Sequence, residues 1–300
     1  MSTRVFTALS RARGFAPTSA RRRRLHAHAG GGSDRLERIA SGDNDAVKRF
    51  AKLCKSKSFR DAERSVVLAS SVLMRECFVS RGGARARTLF VADWAEKPDW
   101  IDADRVVRAP ASVMKKCAGV NNGDGLDLIG EFEMPEMMDG KSFAKRFAGR
   151  RTTRTLALEG VQDPGNLGTL ARTAVAFGWD TVALLPGTCD PFNDKAMRAA
   201  RGATFRLNFV TFDSFDELER AARELGMDLY AAEPRADEDV DPERVGNVAK
   251  ACLVLGTEGQ GLSDDALRAC KPVAVPMSGE MESLNVAIAG GILCYLMRLR

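Results

Sequence analysis

From residue 153 onward the chain alternates short apolar runs with amphipathic segments, and this alternation narrows the possible folds more than any other feature. Thr155 to Val161, Thr181 to Leu185, Leu207 to Thr211, Asp228 to Ala232, Ala251 to Leu255 and Pro272 to Pro276 have the length and composition of strands. Between them Asn166 to Phe177, Asp194 to Thr204, a segment opened by Ser214-x-x-Glu217 and ended by Gly226, Ser263 to Ala269 and Ser283 to Arg298 read as helices. Apolar runs that each lead into a helix require a mainly parallel sheet covered on both faces. The expected class is therefore α/β, with Pro234 to Gly246 as a polar, acidic loop and no internal repeat.

Residues 34–135 read as a smaller α/β domain. Ala46 to Cys54 is helix-like, Ser65 to Cys77 is compatible with strand or helix, and Thr88 to Ala92 and Leu126 to Phe132 are strand-like, the latter preceded by the turn Asn121-Asn122-Gly123-Asp124-Gly125. Lys141 to Arg154 carries six basic residues and no acid, so residues 136–152 read as a basic linker or a basic approach to the next domain. Lys48, Arg49, Lys52, Lys55, Lys57, Arg60 and Arg64 are opposed only by Asp61 and Glu63. That stretch suits phosphate contacts or, equally, a solvated helix face.

The formal charge of +5 says little about partners, because the first 29 residues hold seven Arg and no acid, and the rest carries −2. An Arg-, Ala- and Ser-rich, acid-free start is the composition of an organellar transit peptide, so residues 1–30 are expected to be a presequence for mitochondrion or chloroplast. No apolar run is long and unbroken enough to predict a membrane span. Seven cysteines without a C-x-x-C pair argue against a disulfide framework or a cysteine-rich metal site. Both histidines, His26 and His28, fall in the expected presequence. A chain without histidine has no Ser-His-Asp or Cys-His catalysis and no His-ligated zinc, which leaves Arg, Lys, Asp, Glu, Ser, Asn and backbone groups for chemistry.

Three segments carry the candidate chemistry. In Leu158-Glu159-Gly160-Val161-Gln162-Asp163-Pro164-Gly165-Asn166-Leu167-Gly168-Thr169-Leu170-Ala171-Arg172 a strand ends, Asp-Pro-Gly turns the chain, and Asn166 can cap a helix whose apolar face excludes Arg172. On spacing alone Arg172 is a solvated helix residue. Leu253 to Ser263 runs from a buried strand through Gly256-x-x-Gly259-x-Gly261, neither a dinucleotide fingerprint nor a P-loop. Such a backbone can approach a ligand closely or simply turn from strand to helix. Val273 to Val286 is a short strand, a loop and a terminal helix that Ser283 can cap, with Asn285 in the first turn facing solvent.

In succession, N-x-G-x-x-x-R, G-x-E-x-x-G-L-S and P-M-x-G-x-x-x-S-L-N resemble the motifs of the SpoU/TrmH class of SPOUT RNA methyltransferases, over residues 153–300. The resemblance implies a SPOUT-type parallel sheet with a C-terminal trefoil knot, an exception to the rule against knotted chains. It implies S-adenosylmethionine held near Leu255, Gly256, Val275, Met277 and Leu284, where an apolar slot with backbone hydrogen-bonding groups suits adenine. It also implies that Arg172 acts at a ribose 2'-hydroxyl, with Asn166, Glu258, Ser283 and Asn285 orienting Arg172 and the ribose. The family's arginine is often described as a base; a guanidinium stays protonated, so phosphate anchoring and stabilisation of the developing alkoxide are preferred here.

Residues 34–135 resemble the L30e-like substrate-binding domain, related to ribosomal protein L30e, that often precedes this catalytic domain. Lys48, Lys52 and Met114-Lys115-Lys116 fit, whereas Ala69-Ser70-Ser71 stands where an acidic-glycine pair is common, a departure that bears on RNA choice. Lys48, Arg49, Lys52 and Lys55 are the expected RNA contacts. The resulting expectation is an S-adenosylmethionine-dependent RNA methyltransferase adding a methyl group to a ribose 2'-hydroxyl of structured rRNA or tRNA; the alternative is a catalytically silent RNA-binding or ribosome-assembly protein of the same fold. Apolar residues spread around nearly the whole terminal helix predict a homodimer through it, with Ala287, Ala289, Gly290 and Gly291 allowing close approach; complete burial within one chain is the competing arrangement.

Overall fold

Two sheets organise the computed structural model, which describes residues 37–78, 83–120, 125–233, 241–257, 259, 261–278 and 283–299. The expected presequence, the turn at Asn121 to Asp124, Glu258, and Gly279 to Glu282 lie outside the described residues. The first sheet contains β1 (Glu37–Arg38), β2 (Ser65–Ala69), β3 (Ala84–Ala92), β4 (Ile101–Ala109) and β5 (Leu128–Glu133), in the order β1-β4-β3-β5-β2. Along β2 the side chains alternate: Val67 packs with α1 (Asp45–Lys55) and α4 (Ala111–Ala118), while Val66 and Leu68 pack with α3 (Ser71–Phe78). The ambiguous stretch Ser65 to Cys77 is thus a strand followed by a helix. They are separated at Ser70, whose φ of 100° is a conformation that favours glycine. Strand β4 escaped the sequence reading because Asp102, Asp104 and Arg105 interrupt its apolar alternation; Arg85 on β3 pairs with Asp102 and Asp104.

The basic linker expected at 136–152 is instead structured. β6 (Met137–Asp139) pairs with a strand of the second sheet, and α5 (Gly140–Phe147) buries Phe143 and Phe147 while Lys141, Lys145 and Arg146 face solvent. Apolar residues four apart among lysines and arginines mark an amphipathic helix, which a count of charges conceals. Arg154, the last of that basic run, is buried in the second sheet.

The second sheet contains β7 (Thr153–Leu158), β8 (Thr181–Leu184), β9 (Asn208–Thr211), β10 (Asp228–Ala232), β11 (Lys250–Leu255) and β12 (Lys271–Val273) besides β6. Its order is β12-β10-β11-β7-β8-β9-β6, and every pairing is parallel. Helices α6 (Pro164–Ala176), α7 (Asp194–Ala200) and α11 (Val286–Leu296) cover the face presenting Leu156 and Leu158; α5, α8 (Phe215–Leu225) and α10 (Asp264–Ala269) cover the face presenting Ala157 and Val254. The helix expected to reach Thr204 breaks at Arg201, which has φ 50°, before a 3-10 turn at Ala203–Phe205. The acidic loop ends in a short helix, α9 (Pro242–Val245).

From β7 the chain moves outward through β8 and β9, then crosses to β10 and returns as β11 against the other side of β7. Such a switch leaves a crevice at the carboxyl ends of the central strands.

Candidate active site

The crevice holds two adjoining cavities. The first, about 390 Å³, lies at the ends of β10, β11 and β12 and is bounded by the start of α11; Leu255, Gly256, Val275, Met277, Leu284 and Ser283 all line it. Its walls are backbone and apolar side chains, with Glu233 as the one charged lining residue among those described. Gly256 is required by packing, since a Cβ there would lie 2.4 Å from the carbonyl oxygen of Gly261. Reciprocal N–H···O=C bonds of 3.1 Å between Thr257 and Gly261 close the loop. After β12 the backbone of Ala274 to Ser278 leaves regular structure, so its N–H and C=O groups are not used by the sheet.

The second cavity, about 430 Å³, is lined by Gly160 to Asp163 and Asn166 and shares Gly256, Thr257, Gly259 and Val286 with the first. The loop containing the glycines is therefore the partition between them. Asp163, rather than Asn166, caps α6: its carboxylate accepts the Asn166 N–H at 2.9 Å and meets Lys195 Nζ at 2.7 Å. Both contacts, the lysine first, hold the Asp163 carboxyl below its ordinary range. Asn166 falls inside the first turn because Pro164 already has the fixed φ suited to a helix start.

Ser283 likewise does not cap α11. Asn285 does, accepting from the N–H groups of Ala287 at 2.9 Å and Ile288 at 3.4 Å. Asn285 is therefore not a free first-turn side chain: its Nδ2 donates to Asn166 Oδ1 at 3.3 Å. Glu159, which sequence reasoning passed over, accepts the Ser263 N–H at 2.9 Å. These two bonds tie the first segment to the third and to the second, bringing all three motifs to one place. No sequence signal singled out Glu159, which fell inside the strand expected over Thr155 to Val161; that strand ends at Leu158.

Arg172 stands apart. It is exposed on the outer face of α6, lines neither cavity, and makes no hydrogen bond or ion pair among the described residues. Of the expected RNA contacts, Lys48, Lys52 and Lys55 are exposed on α1, Lys52 lying 4.2 Å from the centroid of the Phe59 ring. Arg49 turns inward to Glu131 and Glu63, each at 2.7 Å, which raises its pKa further and commits it to the protein. Arg60 is also internal, donating to the carbonyls of Leu53 and Cys54 and pairing with Asp190. No group of side chains with metal-ligating character occurs among the described residues.

Comparison with known proteins accounts for this arrangement. Residues 153–295 match the SpoU rRNA Methylase family. A tRNA/rRNA methyltransferase of Synechocystis, itself uncharacterised, is 30% identical over 268 residues, spanning 86% of this chain and 92% of that protein. The chain belongs to the SpoU rRNA methylase family. A further relative is the 23S rRNA (guanosine(2553)-2'-O)-methyltransferase RlmP of Bacillus subtilis, 28% identical across 88% of this chain and 100% of RlmP. The mitochondrial rRNA methyltransferase 3A of Danio rerio is 27% identical, covering 87% of this chain and 69% of its own. The AdoMet-bound rRNA methyltransferase from Sinorhizobium meliloti shares the fold, with a TM-score of 0.72 at 24% identity over 87% of this chain and 97% of that one. As a SpoU-family protein the chain is an RNA methyltransferase, and the two cavities are its candidate cofactor and substrate sites.

Proposed function

We propose that the protein transfers a methyl group from S-adenosylmethionine to the 2'-hydroxyl of a ribose in structured rRNA or tRNA, with the cofactor in the first cavity and the ribose in the second. The observation that carries this reading is the shared glycine-loop partition, which lets groups bound on either side meet. The first cavity suits the cofactor: its volume is in the range of ligand sites, its apolar walls accept an adenine, and Glu233 offers a carboxylate to a cationic ligand. When bound, S-adenosylmethionine supplies an electrophilic methyl group on a sulfonium. The backbone between Ala274 and Ser278 presents hydrogen-bonding groups, and reciprocal bonds between Thr257 and Gly261 fix the ends of the loop that both cavities share.

Asn166 lines the second cavity, where its amide can meet a ribose, and Asn285 holds that amide from outside the lining by donating to its Oδ1. Their geometry is set by helix caps, so orientation is prepaid before RNA arrives. The guanidinium of Arg172, exposed and outside both cavities, anchors an RNA phosphate beside the target ribose, whose hydroxyl loses its proton to solvent. Glu258 belongs to the same proposed set through its motif. Lys48, Lys52 and Lys55 extend the contact along the RNA backbone, whereas Arg49 holds α1 to β5.

The SPOUT-type knot, the L30e-like character of residues 34–135, a mitochondrial or chloroplast location directed by residues 1–30, and homodimerisation through α11 belong to the same reading. The relative from Danio rerio supports an organellar site. Dimerisation is supported by Ile288, Ile292 and Tyr295, which are exposed along α11, with exposed Leu299 just beyond its end. Labelled S-adenosylmethionine titrated against the protein, followed by methyl transfer into purified rRNA and tRNA, tests the function. Saturable cofactor binding with 2'-O-methylated product is expected. Cofactor binding without product on either RNA class would instead identify a silent RNA-binding protein.

A further inference from the structure

A third cavity, about 500 Å³, lies on the far side of the reaction crevice from the cofactor cavity. Its lining comes from both sheets: Lys57 and Asp61 of α2 (Lys57–Glu63) and Arg64 just beyond it, Met134 and Met137 around the start of β6, and the segments that follow β8 and β9. We propose that this cleft is a binding site for an unpaired RNA nucleotide flanking the one whose ribose is methylated. The inference rests on the proposed RNA methylation and names where the neighbouring nucleotide goes.

The wall between this cleft and the second cavity is a single backbone segment, Pro186 to Pro191. Thr188 Oγ1 donates to the Leu158 carbonyl at 2.7 Å and accepts the Gly160 N–H at 3.1 Å; the Cys189 N–H donates to the Val161 carbonyl at 2.9 Å. A Cβ on Gly187 would lie 3.3 Å from Gly160 Cα. One side of this segment therefore touches the loop that lines the ribose cavity, and its other side lines the cleft. A strand whose target ribose occupies the second cavity has its next nucleotide delivered to this wall.

The chemistry is that of a nucleotide. Arg64, held at φ 50°, carries an exposed guanidinium with no partner among the described residues. Lys57 has only a solvent-exposed pair with Asp61, at 2.7 Å, which a phosphate can replace at little cost. Asp61 and Asp213 offer acceptors to the amino and imino groups of a base edge. Half-buried Met137 supplies polarizable side-chain surface for a base face, backed by buried Met134. The cleft is also held in shape, since buried Arg60 ties α2 to Asp190 on the dividing wall.

Fluorescein-labelled hexamers of adenylate, cytidylate and uridylate, followed by anisotropy, test the site in the full-length protein. Arg64→Asn removes the charge while keeping a residue that tolerates the left-handed backbone; Lys57→Gln removes the second. Each is expected to weaken hexamer binding about tenfold, the loss of one charge-assisted contact, and to leave S-adenosylmethionine affinity unchanged. A hexamer carrying 4-thiouridine is expected to crosslink to residues 57–64 or 184–191. Hexamer affinity unchanged in both variants, no hexamer binding by the wild type, or crosslinks confined to other segments would overturn the site. Failure of the wild type to methylate any rRNA or tRNA, with hexamer binding still sensitive to Arg64→Asn, would overturn the methylation reading and leave the cleft standing.

Discussion

Asp163 and Arg172 sit nine residues apart on one helix and represent opposite uses of charge. Asp163 is engaged by Lys195 and by the Asn166 N–H, and its pKa lies below the ordinary 3.8. A carboxyl depressed in the folded state contributes stability above its unfolded pKa, and that contribution is lost as pH falls through the lower folded value. The melting temperature of the wild type should therefore exceed that of Asp163→Asn above about pH 4, with the gap closing as pH falls further. Thermal unfolding monitored by circular dichroism at pH 3 to 7, on the order of one unit apart, would show a constant gap if the assignment were wrong. Arg172 is exposed and has no side-chain partner among the described residues, so its removal should leave fold and cofactor cavity intact. Arg172→Ala is expected to lower methyl transfer by about 100-fold, because a ribose whose neighbouring phosphate is no longer anchored is misplaced, while cofactor affinity, read by calorimetry, stays unchanged. Unchanged turnover would refute its role.

Loops and helix ends, rather than whole strands, decide the site at the scale of elements. The glycine loop after β11 closes only because position 256 lacks a Cβ; the obstructing atoms are the Gly261 carbonyl and Leu262 nitrogen, which are backbone and cannot rotate away. Gly256→Ala should therefore abolish S-adenosylmethionine binding in a protein whose far-ultraviolet circular dichroism stays native, and retained binding would mean that the loop tolerates reopening. Gly290 has a related role on α11. A Cβ there would come within 2.5 Å of Leu170 Cδ2 and Leu255 Cδ1, so the close approach that the sequence suggested for a partner helix is made within the chain, to α6 and β11. The two caps fell one side or the other of their expected positions for one reason. Ser, Asp and Asn are all good caps, so a segment with several of them in a row does not reveal which one leaves helical geometry.

For the molecule as a whole, the exposed face of α11 is the main unfinished surface. Its inner side is clamped: Trp179 Nε1 donates to the Cys294 carbonyl at 2.9 Å, and Arg154 Nε donates to the Met297 carbonyl at 2.9 Å. Ile288 is 55% and Tyr295 47% exposed on the other side, so complete burial within one chain does not occur. Isolated exposed apolar residues are ordinary, but a stripe along one helix indicates a partner surface. Sedimentation should show a dimer for the wild type and a monomer for the Ile288→Glu, Ile292→Lys pair. A monomeric wild type at micromolar concentration would sink the dimer.

The strand–helix alternation beyond residue 153 was legible from the sequence, because apolar period is a local property that neighbouring residues impose on each other; Leu255, Gly256, Val275, Met277 and Leu284, which line the first cavity, were named only through the resemblance of their motifs to the SpoU/TrmH class. The tertiary structure alone decided how the charges were spent. Arg49 and Arg60 looked like RNA contacts beside Lys48 and Lys52, yet Glu131, 82 residues from Arg49, and Asp190, 130 residues from Arg60, draw them inward. Arg154 closed an apparently basic linker, yet carbonyls of Val245, Gly246 and Met297 surround it. The meeting of Asn166 with Asn285 across 119 residues is of the same kind. Hydrogen bonds and ion pairs act over a few ångströms of space, and sequence distance carries no information about that separation until the sheet has brought its strand ends together.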